Sequence, residues 1–444
     1  LAPPAPQGVS ILARGQLLWE RRDAAFGGDL AMTLEQIDLT DLDFFMNGDV
    51  MGAFQLLRAE DPVHWQEKRP GRGFWSLTKF EDLLIVYRDA QGFMSGKGVT
   101  LHFGEDETDS SGLGQSMIMA DPPRHAKMRI VLSRRFTPRA VAPFADRIRA
   151  IASGIVDSVI DRGECDFVND IAAKLPTAAI CDLMGIDREH WGLMFAITNE
   201  TIGRHDEEFA RGRSGRETVM DAFARASRFF TELAAERRRN PGDDLISALV
   251  SGEMAGEPLT EAEIIANCYI LILGGQETTR NAMSGAMLAM IENPAERAKF
   301  AANPAAPAAT EEFLRWTSPV TNIMRVATRD AEIRGKQIRA GQRVVLWNLA
   351  ANRDEEQFAN PERFDVSRSP NDHVAFGYGE HFCLGANLAR LEMRMMFDEL
   401  MHRTADLELA GPVERLRSNT IAGIKRMPVR FRAAKVEASG VAAL

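Results

Sequence analysis

The stretch from Thr260 to Asn293 constrains this chain most. Thr260-Glu261-Ala262-Glu263 has the form of a capping box, a hydroxyl followed three residues later by a carboxylate. Apolar residues then recur three or four apart for about 30 residues, until Asn293-Pro294 supplies a stop. In the middle of this predicted helix lies Gly274-Gly275-Gln276-Glu277-Thr278-Thr279. Each interior glycine costs about 1 kcal/mol relative to alanine, so the pair calls for a reason. One reason is a helix that bulges or opens its backbone ladder, with Glu277 and Thr278 holding water beside a ligand. The other is close packing of a second helix at the glycines, with Glu277 merely solvated.

Helical periodicity also marks Val141 to Asp161 and Thr218 to Arg239. Strand-like runs are short: Gly73 to Thr78, Met324 to Thr328, Val344 to Trp347 and Met427 to Phe431. The expected fold is mainly α with a small β-rich portion. Residues 1–30 read as a flexible, Pro-rich lead-in, and 31–444 as a single domain, since no Gly/Ser linker divides them. The chain has 444 residues, of which 45% are hydrophobic, enough for a large core. Its net charge of −10 argues against a nucleic-acid partner. Glu105-Asp106-Glu107, with nearby serines and glycines, reads as a solvated loop. Four cysteines without a C-x-x-C pair suit no zinc site and predict a reducing, cytoplasmic location. The most apolar run, Ile264 to Leu273, is far shorter than the roughly 20 residues of a bilayer span, so no membrane anchor is expected.

The second informative segment is Phe376-Gly377-Tyr378-Gly379-Glu380-His381-Phe382-Cys383-Leu384-Gly385, with a helix-patterned run directly after it. A cysteine at the mouth of a helix meets unpaired N–H groups and the positive end of the dipole, which favours thiolate. The glycines let backbone approach something flat and bulky. Taken alone, Cys383 is a small buried hydrophobe. The pattern Phe-x-x-Gly-x-His-x-Cys-x-Gly changes that, because Phe376, Gly379, His381, Cys383 and Gly385 resemble the haem-binding signature of the cytochrome P-450 family. That resemblance implies a haem-thiolate fold with the long central helix over the haem and Cys383 as axial ligand of the iron.

Further segments extend the resemblance in family order, from about Pro122 to Phe431. Gly274-Gly275-Gln276-Glu277-Thr278 resembles the oxygen-activating motif, which implies that Thr278 hydrogen-bonds dioxygen or its water and that Glu277 relays protons. His125 and Arg129, four apart on a predicted helix, resemble the His-x-x-x-Arg propionate pair. Arg325 and His381 match two further propionate contacts. Glu312 and Arg315 resemble the family's structural ion pair, and Arg363, in Pro361-Glu362-Arg363-Phe364, the arginine that joins it. By the same analogy Gly274, Val320, Ile323 and Ile421 line a substrate pocket built from apolar or small residues.

The implied activity is monooxygenation of an apolar small molecule (terpenoid, steroid, lipid or aromatic). The implied cofactor is haem b with O2 as co-substrate. Electrons come ultimately from NAD(P)H through a separate ferredoxin or flavodoxin and its reductase, since no flavin or iron–sulfur pattern is visible. Arg134, Arg135 and Arg394 are candidate docking residues for an acidic electron carrier. The alternatives are a haem-based sensor or electron carrier, and a peroxide-driven or coupling enzyme on the same scaffold. Glu277-Thr278 favours dioxygen over peroxide.

Overall fold

The structure, a computed structural model, describes residues 32–101, 112–254 and 256–434. The expected lead-in and the Glu105-Asp106-Glu107 stretch lie outside the described residues. The central helix spans Glu261–Glu292. Its capping box forms as the sequence predicts: Glu263 N–H donates to Thr260 Oγ1 at 3.3 Å and Thr260 N–H to Glu263 Oε2 at 2.8 Å. Asn293 closes it, and Pro294 opens the next helix. Of its 32 residues, 23 are buried, so it is a core strut without a solvent face over most of its length. Helices Lys174–Met184, Trp191–Ile202, Gly215–Arg239 and Pro307–Thr317 pack around it.

The other predicted helices form with shifted starts. Val141 to Asp161 is split, because Pro143 removes an N–H: a 3-10 turn at Ala142–Phe144 precedes the helix Ala145–Ile160. Thr218 to Arg239 begins earlier, at Gly215, where Ser214 and Glu217 make a second capping box.

Five strands form the main sheet. Val63–Arg69 and Arg72–Leu77 make an antiparallel hairpin about Gly71, whose φ is 71°. Arg343–Leu346 lies parallel to the second hairpin strand, with Val344 opposite Trp75, and antiparallel to Ile323–Ala327, with Val344 also opposite Arg325. Phe93–Met94 completes the edge. The predicted strands are all present to within two residues. Val63–Arg69 was not predicted, because five of its seven residues are polar or charged and it shows no clean alternation. A second sheet joins Thr404–Leu409, Pro428–Ala433 and Glu164–Asp166. Within the main sheet, Arg325 is buried on the strand that leads towards the cysteine-bearing loop region.

Candidate active site

Cys383 lies just ahead of the helix Ala386–Arg403, whose N-cap is Gly385. Its N–H donates to Phe376 O at 2.9 Å, closing the loop that the glycines shape. Gly377 and Gly379 adopt left-handed φ values of 68° and 69°. At Gly379 a Cβ would also sit 2.5 Å from Tyr87 O, so no other residue fits there. Gly385 differs: its φ is −84°, and nothing lies within 4 Å of where its Cβ would be. It borders open space. Burial raises the Cys383 thiol above its ordinary value, against the pull of the Gly385 N–H and the Arg129 and Arg390 guanidiniums.

Four basic side chains gather beside this loop. Arg129, on the helix Arg124–Ser133, donates from Nη2 to Phe382 O at 2.6 Å. His125, one turn earlier, stacks on His381 with ring centroids 3.9 Å apart. Both nitrogens of buried His125 lack a hydrogen-bond partner. Arg325 is buried and, among the described residues, donates only to its neighbour's carbonyl, Met324 O, at 2.8 Å. Among the described residues, the sole carboxylate within ion-pair range of the four is Glu380, 3.8 Å from His125 Nδ1 and itself half exposed. Burial, then the charges of Arg129 and Arg325, push His125 down to about 4. Burial, then Arg325, His125 and Arg129, push His381 down to about 2. Burial also lowers Arg325, against the influence of Tyr87 and Asp121. A buried Arg325 without a counter-charge, beside a buried His125 ring without hydrogen-bond partners among the described residues, is costly unless anions complete the group. Two propionates beside a Cys383-ligated haem fit that requirement in charge and in hydrogen bonding.

The central helix presents a contrasting face. It stays α-helical through Gly274 and Gly275, so the expected opening of its ladder does not occur. The two glycines do different jobs. A Cβ on Gly275 would lie 2.7 Å from Ile180 Cγ1, so this glycine admits the helix Lys174–Met184. Gly274 is exposed within an otherwise buried stretch, with nothing within 4 Å of a Cβ position. Thr278 shares its face, and its hydroxyl donates to Gly274 O at 2.7 Å. Glu277 points elsewhere and is neither solvated nor on the open face. It is buried, paired with Arg280, and accepts from Asn281 Nδ2 at 2.9 Å, while its Oε2 has no partner. Arg280 in turn donates to Asn199 Oδ1 at 2.7 Å.

The structural ion pair forms as a two-point fork. Arg315 donates from Nε and Nη2 to Glu312 at 2.8 Å each, with both side chains fully buried. Arg363 is not its third member. Its side chain is 61% exposed and reaches only Glu296, at 3.7 Å; its carbonyl alone accepts from Arg315, at 3.3 Å. Arg368 takes the role, donating to Glu312 Oε2 at 3.1 Å, and Asn371 adds a bond of 3.1 Å. The chain turns after Phe364, so the buried guanidinium is the one five residues later.

Val320 and Ile421 meet in an isolated antiparallel bridge. Thr321 N–H donates to Thr420 O and Ala422 N–H to Pro319 O, both at 2.9 Å, which joins two of the predicted pocket segments. Ile323 begins the strand that carries Arg325. Of the candidate docking residues, Arg134 is exposed, Arg135 is paired with Asp243, and Arg394 donates to Arg390 O at 3.3 Å. Arg280 escaped the sequence reading although its spacing of three from Glu277 is an ion-pair signal. Asn199 and Arg368 carry no local signal at all.

A family model described as cytochrome P450 matches residues 176–303 and 297–405. The methyl-branched lipid omega-hydroxylase of Mycobacterium tuberculosis is 40% identical over 414 residues, 90% of this chain and 95% of that protein. The steroid C26-monooxygenase of Mycolicibacterium smegmatis is 35% identical over 406 residues, 90% of this chain and 97% of that one. Among solved structures, a Mycobacterium marinum cytochrome P450 in complex with pseudoionone superposes with a TM-score of 0.84 at 35% identity, covering 91% of this chain and all of the other.

Proposed function

The chain belongs to the cytochrome P450 family and is a monooxygenase, and from that premise we propose that Cys383 ligates a haem b and that an apolar small molecule is oxidised beside Gly274 and Thr278. The observation that carries this reading is the group of four basic side chains, His125, Arg129, Arg325 and His381, gathered at the Cys383 loop with only the half-exposed Glu380 in ion-pair range among the described residues. Haem bound through a thiolate supplies activation of dioxygen, with electron density pushed towards O–O cleavage. The rest falls to this chain. His125, Arg129, Arg325 and His381 bind the two propionates and so fix the cofactor's orientation. Gly274 leaves room on the central helix, and Thr278 Oγ1 holds a hydrogen bond next to that room. Glu277, buried against Arg280 and away from the open face, would reach a proton path only by leaving that pair, so the relay role carried by the family resemblance needs its side chain to move.

Val320, Ile323 and Ile421 give the pocket an apolar wall without a charged clamp, which suits an uncharged terpenoid, steroid, lipid or aromatic. The names of the relatives favour a branched lipid or a steroid within that range. Electrons arrive from NAD(P)H through a ferredoxin or flavodoxin and its reductase in the cytoplasm, docking on the Cys383 side near exposed Arg134. No helix among the described residues is long and apolar enough to cross a membrane.

The test is the carbon monoxide difference spectrum of the reduced protein beside that of Cys383→Ser. A strongly red-shifted Soret band, lost in the variant, supports the reading. Its absence in haem-supplied protein overturns it. For the dioxygen step, Thr278→Ala should keep consuming reductant while product per electron pair falls several-fold; unchanged coupling removes Thr278 from the mechanism.

A further inference from the structure

Glu311 and Glu312 are neighbours on the helix Pro307–Thr317 and serve different partners. Glu312 holds the buried Arg315. Glu311 faces the cysteine-bearing helix, where Arg390 donates to it from Nε at 2.7 Å and from Nη2 at 2.8 Å. The forked guanidinium lies over the ring of Phe376, 4.5 Å from its centroid. Phe376 is the residue whose carbonyl accepts the Cys383 N–H. On the far side of Glu311 stands His373, with a side chain only 3% exposed and Nε2 3.2 Å from Glu311 Oε2. Ala375 N–H donates to His373 Nδ1 at 3.3 Å, while Nε2, close to the carboxylate, makes no aligned hydrogen bond among the described residues. His373, Glu311, Arg390 and Phe376 thus form one chain of contacts that ends at the Cys383 loop.

We propose that Glu311 sets the charge that Arg390 projects onto Cys383, so that the His373–Glu311–Arg390 chain tunes the reduction potential of the haem iron. Glu311 and His373 are positioning residues here; neither touches cofactor or substrate. The geometry supplies the mechanism. Arg390 is held over Phe376 by a two-point fork, so its place beside the Cys383 loop is set by Glu311 rather than by its own flexible stem. The carboxylate also cancels part of its field. Glu311 is available as an anion: burial opposes its ionisation, but the two hydrogen bonds from Arg390, with the His373 ring beside it, hold it down at about 2. Both charged side chains keep roughly a quarter of their surface exposed, 29% for Arg390 and 26% for Glu311, so solvent screens the effect without abolishing it.

The inference rests on the reading that Cys383 ligates haem. It predicts opposite signs for the two halves of one ion pair. The haem-loaded variants are measured by spectroelectrochemical titration, with thermal midpoints recorded in parallel. Arg390→Gln removes a positive charge near the iron and should lower the potential. Glu311→Gln leaves Arg390 uncompensated and should raise it. The double variant should fall between the two, and His373→Phe should lower the potential by less than Arg390→Gln. A purely structural pair would lower both thermal midpoints and move both potentials alike or not at all. Shifts of the same sign, or none, in variants that keep the thiolate carbon monoxide spectrum overturn the proposal and leave the haem reading standing. Lack of that spectrum in the unsubstituted protein overturns both. If Glu311→Gln does not fold, Glu311→Asp serves instead: it keeps the charge but withdraws it by one methylene, and should raise the potential by a smaller amount.

Discussion

Two buried ionic clusters flank the cysteine-bearing segment, and they differ in one respect. Around Glu312, the carboxylate is fully bonded: Arg315 forks onto it, Arg368 and Asn371 share its second oxygen, and Asp365 N–H adds a bond at 2.8 Å. Around His125, basic side chains are collected with one half-exposed carboxylate, Glu380, in range, and both nitrogens of the His125 ring are left without hydrogen-bond partners among the described residues. The first cluster's carboxylate needs nothing further. The second is incomplete as a protein structure, because an isolated chain gains nothing by burying Arg325 without a counter-charge beside an unpartnered ring. Completeness thus separates scaffold from site more reliably than burial or charge does, since both clusters are buried and charged.

The comparison breaks most visibly at Glu312. Glu312→Ala leaves two arginines buried without a counter-charge, and removing one partner of such a pair costs about 3–5 kcal/mol. Loss of soluble protein, or a large fall in the thermal midpoint with and without haem, is the expected outcome. A midpoint that stays put would show that the closed cluster is dispensable. The opposite cluster should respond in the opposite sense. Arg325→Gln removes one of several repelling charges, so the haem-free protein should be no less stable. Haem affinity should fall by about 10- to 100-fold, the worth of one charge-assisted hydrogen bond of about 1.5–3 kcal/mol. Haem transfer to an apo-acceptor protein measures this directly. A haem-free form destabilised as strongly as by Glu312→Ala would mean that Arg325 is scaffold after all.

Acid sensitivity sharpens the same contrast. His125 is held near 4 in the folded chain by burial and by the neighbouring arginines, against an ordinary value of 6.5. Its folded value is depressed, so between these limits the unfolded chain binds the extra proton. The stability of the haem-free protein should then fall as pH drops from 6.5 towards 4, by a few kcal/mol at most. With propionates beside the ring, its charged form is no longer opposed, and the slope should flatten. Denaturant midpoints at several pH values, with and without haem, decide it; equal slopes would count against an anion at His125.

The sequence announced the site better than the way the site is assembled. The cysteine loop, the His125–Arg129 spacing and the Gly274–Thr278 run are contiguous, and local patterns carry them. Arg363 was assigned to Glu312 because it sits in a recognisable Pro-Glu-Arg-Phe run, but a loop's path decides which arginine turns inward, and composition does not encode that path. Glu277 was paired with Thr278 because they are adjacent. On a helix, adjacent residues diverge by about 100°, so one can face open space while the other is buried against Arg280. The strand Val63–Arg69 was missed for a related reason: its partner, not its own alternation, makes it a strand.

The glycine pair repeats the contrast at the scale of one methyl group and carries the smallest expected effect. Gly275→Ala puts a Cβ 2.7 Å from Ile180 Cγ1. Such overpacking costs about 1–3 kcal/mol, set against about 1 kcal/mol of helix propensity gained. Gly274→Ala meets nothing within 4 Å and should keep all of that gain. It should therefore leave the thermal midpoint unchanged or raise it slightly, while placing a methyl group in the space assigned to substrate. Binding spectra with a panel of apolar ligands then separate the two positions. Weaker binding in a Gly274→Ala protein of undiminished stability marks Gly274 as the pocket side of the helix and Gly275 as the packing side. Unaltered binding across the panel would place the substrate elsewhere and leave Gly274 as a gap without a tenant.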